Sequence, residues 1–118
     1  MWRLRDEKPE DHRPIRELNN LVFGRADEPE LIDNLRDAGD VVASIVALEA
    51  RRIIGHILFS ELAVEGSTRA VRAAALAPMA VHPSHQRSGI GSALVRRGLD
   101  VCGAREIEAV IVLGHPTY

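Results

Sequence analysis

Val81-His82-Pro83-Ser84-His85-Gln86-Arg87-Ser88-Gly89-Ile90-Gly91 joins two segments of opposite character. Before it, residues 73–81 form an apolar run that reads as a strand. After it, residues 89–102 carry apolar side chains at helical spacing. Pro83 stops the strand, and the glycines let the chain turn straight into the helix. A strand that ends in such a loop presents several backbone N–H groups at a helix N-terminus, a site suited to a phosphate or pyrophosphate.

Outward from this junction the elements fall in order. Residues 2–6 alternate large and charged side chains and predict a short first strand. A helix is expected from Pro9, with Glu10 and Asp11 in its first turn and Ile15, Leu18 and Val22 on its inner face. A second helix is expected from Pro29, with Leu31, Leu35 and Ala38 inward and Gly39 as its left-handed cap. Residues 41–48 and 53–62 read as an antiparallel hairpin joined by Glu49-Ala50-Arg51-Arg52. Glu65-Gly66-Ser67-Thr68 is the next turn, and residues 71–81 return from it. Pro78 inside that strand donates no ladder hydrogen bond, which predicts a bulge or splay. In the helix, Ile90, Leu94, Val95, Gly98, Val101 and Cys102 share an arc of about 140°. Gly98 on that arc would let the helix lie close to the sheet, Gly103 would end it, and residues 107–113 form a last strand.

Composition bounds the function. A chain of 118 residues with 46% apolar and 27% charged residues is one ordinary globular domain, burying roughly two-thirds of its unfolded surface. The net charge of −2, with no basic run, argues against nucleic-acid binding. The longest apolar run, residues 73–81, is far short of the roughly 20 residues that span a bilayer, so no membrane partner is expected. One cysteine, Cys102, excludes an internal disulfide and fits a reducing cytoplasm. Cys102 reads as a small core residue, not a nucleophile. His82 and His85 stand three apart without a convincing third ligand, so no metal site is expected. His56 is expected to be packed or paired in the hairpin, His12 exposed, and His85 on a surface loop.

The motif Gln86-Arg87-Ser88-Gly89-Ile90-Gly91, following Leu76-Ala77-Pro78-Met79-Ala80-Val81-His82-Pro83, resembles the cofactor motif of the GNAT N-acetyltransferase superfamily. Ile53-Ile54-Gly55-His56-Ile57 resembles that family's third strand, and the element order agrees along essentially the whole chain. The resemblance implies an α/β (α+β) fold with a mixed, mainly antiparallel twisted sheet flanked by helices, and a splayed strand pair for CoA. It also implies acetyl-CoA as co-substrate. The pantetheine arm would pair with backbone at Met79, Ala80 and Val81. The pyrophosphate would meet Gln86, Arg87, Ser88, Gly89, Ile90, Gly91 and Ser92.

In such a family an amine attacks the thioester directly. The Val81 N–H would polarise the carbonyl, and a tyrosine after the fifth strand would protonate the thiolate. Tyr118 lies in that region. Relatives often carry two adjacent tyrosines there, with the second as the acid, and in that register Tyr118 is only the neighbour. Glu61 and Glu65 are candidate bases whose alternative is a solvated strand end. His115 would line the substrate mouth.

Residues 1–118 then form a single domain without the family's C-terminal helix and strand pair. That predicts homo-oligomerisation through the last strand's edge. An amine N-acetyltransferase is the leading function. A catalytically inactive CoA-binding module completed by a partner chain, or another phosphate-ligand protein, are the alternatives.

Overall fold

A computed structural model of the chain describes residues 1–62 and 71–112. One sheet holds five strands in the order β1-β2-β3-β4-β5, with β1 Trp2–Asp6, β2 Val41–Glu49, β3 Arg52–Leu62, β4 Ala73–Val81 and β5 Ala109–Val112. Helices α1 (His12–Phe23) and α2 (Asp27–Ala38) lie between β1 and β2 in sequence, and α3 (Ile90–Ala104) lies between β4 and β5. β1 to β4 pair antiparallel and β5 pairs parallel to β4. This is the mixed, mainly antiparallel sheet that the sequence predicts. Among the described residues no helix is long and apolar enough to cross a membrane.

Alternation along β2 divides the core into two layers. Ile45 and Ala47 face α3 and pack with Ile57, Phe59, Ile90, Leu94 and Cys102. Val46 and Leu48 point the opposite way and pack with Ile15 of α1, Ile32 of α2 and Leu58. A period of two in a strand puts neighbours on opposite faces, so both faces of this run are apolar because both are covered.

Several boundaries differ from the sequence expectation, each for a local reason. Residues 9–11 form a single 3-10 turn before α1 begins at His12. Asp11 is buried there, accepting from the Lys8 N–H (2.7 Å) and from the Arg5 guanidinium (2.6 and 3.1 Å). α2 starts at Asp27, two residues before Pro29, because proline is tolerated throughout a first turn whose N–H groups lack intrahelical partners. Leu31 is therefore exposed and Ile32 takes the inner position, while Gly39 caps the helix at φ +73° as expected.

The hairpin is tighter than four residues. Glu49 pairs with Arg52, and only Ala50 and Arg51 turn, with Ala50 at φ +55°. α3 runs past Gly103 to Ala104. The left-handed residue beyond it is Glu106, and the Ile107 N–H closes the helix end on the Cys102 carbonyl (2.9 Å). Ile107 is thus spent on the cap, and β5 begins at Ala109. β4 likewise begins at Ala73 and not at Val71. The expected turn at residues 65–68, and Leu113 at the end of the last strand, lie outside the described residues.

The Pro78 expectation holds. Ile57 pairs with Met79 and Phe59 with Leu76, so Ala77 and Pro78 stand together opposite Leu58. Two residues facing one is a bulge, and it leaves the missing proline N–H outside the ladder. The Ala77–Pro78 peptide is cis.

Gly98 sets how closely α3 approaches the sheet. A Cβ there would lie 1.9 Å from Cε1 of Phe59, whose ring is fully buried. Gly98→Ala should therefore destabilise the fold by about 2–3 kcal/mol through overpacking, read as a lower urea midpoint at unchanged slope. A loss below about 0.5 kcal/mol, the range of an ordinary surface change, would contradict this packing.

Candidate functional site

The junction of β4 and α3 has the form that an anion site needs. Pro83–His85 is a 3-10 turn capped by His82, Gln86 is extended, Arg87 takes φ +66°, and Gly89 is the α3 N-cap at φ +86°. The first helical bond runs from the Ala93 N–H to the Gly89 carbonyl (3.0 Å). The amides of Ile90, Gly91 and Ser92 therefore have no acceptor within the helix, and no side chain caps them. They stand at the positive end of the helix dipole.

The two glycines serve differently. A Cβ on Gly89 would meet nothing within 4 Å, so that position is glycine for its φ. A Cβ on Gly91 would meet only ordinary contacts, Met79 Cε at 3.8 Å, Met79 Sδ at 3.9 Å and Val81 Cγ2 at 4.0 Å. Those distances also show that the helix N-terminus sits directly over Met79 and Val81. The sequence placed these residues and the loop in one site, and the fold brings them together.

β4 offers its main chain selectively. The His82 N–H bonds the Ile54 carbonyl (2.8 Å), and in that register Ala80 pairs with His56. Alternation of an antiparallel ladder then commits Ala80 to β3 and turns the main chain of Met79 and Val81 toward the β5 side. Parallel pairing with β5 covers residues 73–76 of β4. Gln86 Nε2 donates to the Val81 carbonyl (3.2 Å), tying the loop to the strand. Arg87, Ser88 and Ser92 are exposed, and the Ser88 hydroxyl donates to the His85 carbonyl. Ile90 is buried, so only its amide is available to a ligand. Tyr118, His115 and Glu65 lie outside the described residues, and Glu61 is ion-paired with Arg72 (3.1 Å).

The remaining histidines are all engaged. His12 is half-exposed beside Glu7 (3.3 Å). His85 lies on the turn at the surface as expected, its side chain 18% exposed and its Nε2 3.2 Å from Glu49. Cys102 is buried on α3, and burial raises its thiol pKa, as suits a core residue. Among the described residues no group of three metal-capable side chains converges.

Sequence reading missed a polar cluster beneath the other face of the sheet. Glu7 Oε1 accepts from the Ser44 hydroxyl (2.7 Å) and from Arg36, and Ser44 Oγ lies 2.9 Å from His56 Nε2. Burial acts to raise the Glu7 pKa, but Arg36 and Ser44 outweigh it and hold the carboxylate ionised. A carboxylate only accepts, so Ser44 donates to it, and the Nε2–H of His56 must donate to Ser44. His56 Nδ1 is then a buried lone pair with no hydrogen-bond partner among the described residues. A cleft of about 320 Å³ borders Glu7 and Ser44. A second of about 480 Å³ lies between α1 and the turn of the β2–β3 hairpin, beside His82. Neither is lined by residues 86–92.

The chain belongs to the acetyltransferase (GNAT) family, whose model matches residues 3–117. It is 33% identical over 110 residues to the uncharacterized N-acetyltransferase YjhQ of Escherichia coli (strain K12), matching 92% of this chain and 61% of that protein's length. A GNAT family acetyltransferase from Brucella melitensis, solved in complex with acetyl-CoA, superposes with a TM-score of 0.89 at 31% identity, covering all of this chain and 79% of that one. The Escherichia coli N-acetyltransferase YhbS, solved in complex with CoA, gives 0.90 at 30% identity, covering 98% and 64% respectively.

Burial of His56 lowers its pKa from 6.5 to about 4. The unfolded chain therefore binds the extra proton first. Stability should be intact above pH 6.5 and fall by about 1.4 kcal/mol per pH unit as the pH drops from 6.5 toward 4. Glu7, with its lowered pKa, adds acid sensitivity only below its ordinary value of 4.5. Urea midpoints across pH 4.5–6.5 check this, and His56→Gln should flatten the slope. An equal slope in the variant would assign it elsewhere.

Proposed function

We propose that this domain binds acetyl-CoA at the β4–α3 junction and transfers its acetyl group to a primary amine by direct attack. The observation that carries the reading is the uncapped α3 N-terminus, with Arg87 and Gly89 at positive φ, set against the β4 segment whose Met79 and Val81 main chains turn toward β5. Family membership and the CoA complexes of two relatives at 30–31% identity support it.

In this reading the pyrophosphate takes the amides of residues 88–92, with the exposed Arg87 and the Ser92 hydroxyl alongside. The pantetheine amides run along residues 79–81 as an added strand. The Val81 N–H holds the thioester oxygen as negative charge develops on it. The neutral amine nitrogen forms a bond to the carbonyl carbon and releases one proton to solvent. The carbon–sulfur bond breaks and the CoA thiolate takes up a proton, for which Tyr118 is the candidate donor. The exposed Ile111 and Val112 on β5, 46% and 66% accessible, favour association of copies through that edge. A reducing cytoplasm suits the single thiol.

Gly89→Val is the direct test. A β-branched residue resists φ near +86°, so the loop must change shape. CoA affinity by calorimetry should fall by at least about tenfold, since roughly 1.4 kcal/mol is lost with each tenfold step, while unfolding stays cooperative. Affinity within twofold of the parent would defeat the reading. Thiol release from acetyl-CoA across a panel of primary amines tests turnover, and release only with hydroxyl acceptors would reassign the reaction.

A further inference from the structure

The two residues that close the β2–β3 turn also hold the loop that precedes α3. Arg52 Nη2 lies 2.8 Å from His82 Nε2, and His82 Nδ1 lies 2.7 Å from Ser84 Oγ. Ser84 Oγ lies 2.8 Å from His85 Nδ1, and His85 Nε2 lies 3.2 Å from Glu49 Oε1. The chain of contacts thus leaves the hairpin at Arg52, crosses the 3-10 turn at residues 83–85, and returns to Arg52's cross-strand partner Glu49.

A carboxylate only accepts, so His85 Nε2–H donates to Glu49, and His85 Nδ1 is the lone pair that takes the Ser84 hydroxyl proton. On His82 the Ser84 N–H donates to Nδ1 at 3.1 Å, the bond that caps the turn, and Nε2 stands against the Arg52 guanidinium. The turn is thus tied to both residues of the hairpin pair, through one histidine each.

We infer that Glu49 and Arg52 are positioning residues, which hold the pyrophosphate-binding loop in its CoA-ready shape through the contacts Arg52–His82–Ser84–His85–Glu49. The inference rests on the acetyl-CoA reading above for its functional consequence, though not for the chain itself. Neither residue belongs to the amide cradle at 88–92. Their effect passes through the two histidines to Gln86, where the loop begins. His82 is kept neutral by burial, by Arg52 and by His85, all of which lower its pKa, and a neutral ring is what the chain requires.

Long-range nitrogen–proton spectra of the ligand-free protein near pH 7.5 test the chain directly. The expected result is His85 protonated at Nε2 and unprotonated at Nδ1. The reverse tautomer at His85 would overturn the inference, whether or not CoA binds. Glu49→Leu and Arg52→Leu should each raise the CoA dissociation constant and the acetyl-CoA KM about three- to tenfold, the weight of one partly exposed hydrogen bond, with kcat unchanged. Glu49→Gln, which keeps an acceptor oxygen, should restore affinity to within about twofold on the same scale. Leucine variants that bind like the parent, or that lose kcat and not KM, would refute the positioning role. A parent protein that binds no CoA, with the expected His85 tautomer present, would instead remove the acetyl-CoA reading and leave the chain as architecture.

Discussion

The approach of α3 to the sheet is the constraint on which the rest of this molecule depends. With Gly98 seated on the Phe59 ring, and a Cβ on Gly55 of β3 only 3.0–3.2 Å from Ile90, Leu94 and Ala47, helix and sheet meet in two close contacts, each at a glycine. One lies at the middle of the helix and the other near its start. A helix held at two points has a fixed axis, so its first turn is held over Met79 and Val81. Longer side chains at either glycine would lift the helix and carry the uncapped amides away from the strand they serve. The site's geometry is thus a by-product of core packing several residues away.

β4 supplies the complementary constraint by changing role along its length. Residues 73–76 are an ordinary inner strand, paired on both sides with β3 and β5. The bulge at Ala77 and Pro78 shifts the register, and the following residues pair with β3 in the shifted register. The shift decides which main-chain groups face which neighbour. Because Ala80 bonds toward His56, it is Met79 and Val81 that address the β5 side. A strand without the bulge would reverse that assignment and present Ala80 there instead.

Much of this was legible in the sequence, and the reason is physical. Two-sided apolar strands, Pro78 within one of them, glycines at positive φ, and a small residue on a helix's apolar arc are all local signals with narrow structural meanings. The misreadings arose where two local rules competed. Pro29 looked like a helix start, yet proline fits anywhere in a first turn, and the helix began at Asp27. Gly103 looked like a helix end, yet the left-handed conformation fell to Glu106. The polar cluster of Glu7, Arg36, Ser44 and His56 draws on β1, α2 and both hairpin strands, and no window of sequence contains it. Its one trace is that Ser44 and His56 each interrupt an apolar strand run. Register places them on the same face, opposite Leu58 and Val46. The Glu49–His85 and Arg52–His82 contacts were hidden for the same reason, since a charged hairpin turn reads as solvated surface until the loop it holds is in place.

The two polar systems differ in what they ask of their histidines. His56 sits between a serine and the buried core, so its proton must point at Ser44 and its other nitrogen goes unpaired at a desolvation cost. His82 and His85 sit between opposite charges at the surface, where both nitrogens of each ring have a partner and solvent is within reach. Low dielectric makes the first arrangement the more rigid and the more sensitive to acid. The surface chain is individually weaker, but it spans the hairpin and the loop, so its bonds act on the loop's conformational freedom and not on global stability. On the proposed reading, a site for a flexible, multiply charged ligand gains more from a restrained loop than from a more stable core. On that proposal the buried cluster serves the fold and the surface chain serves the ligand.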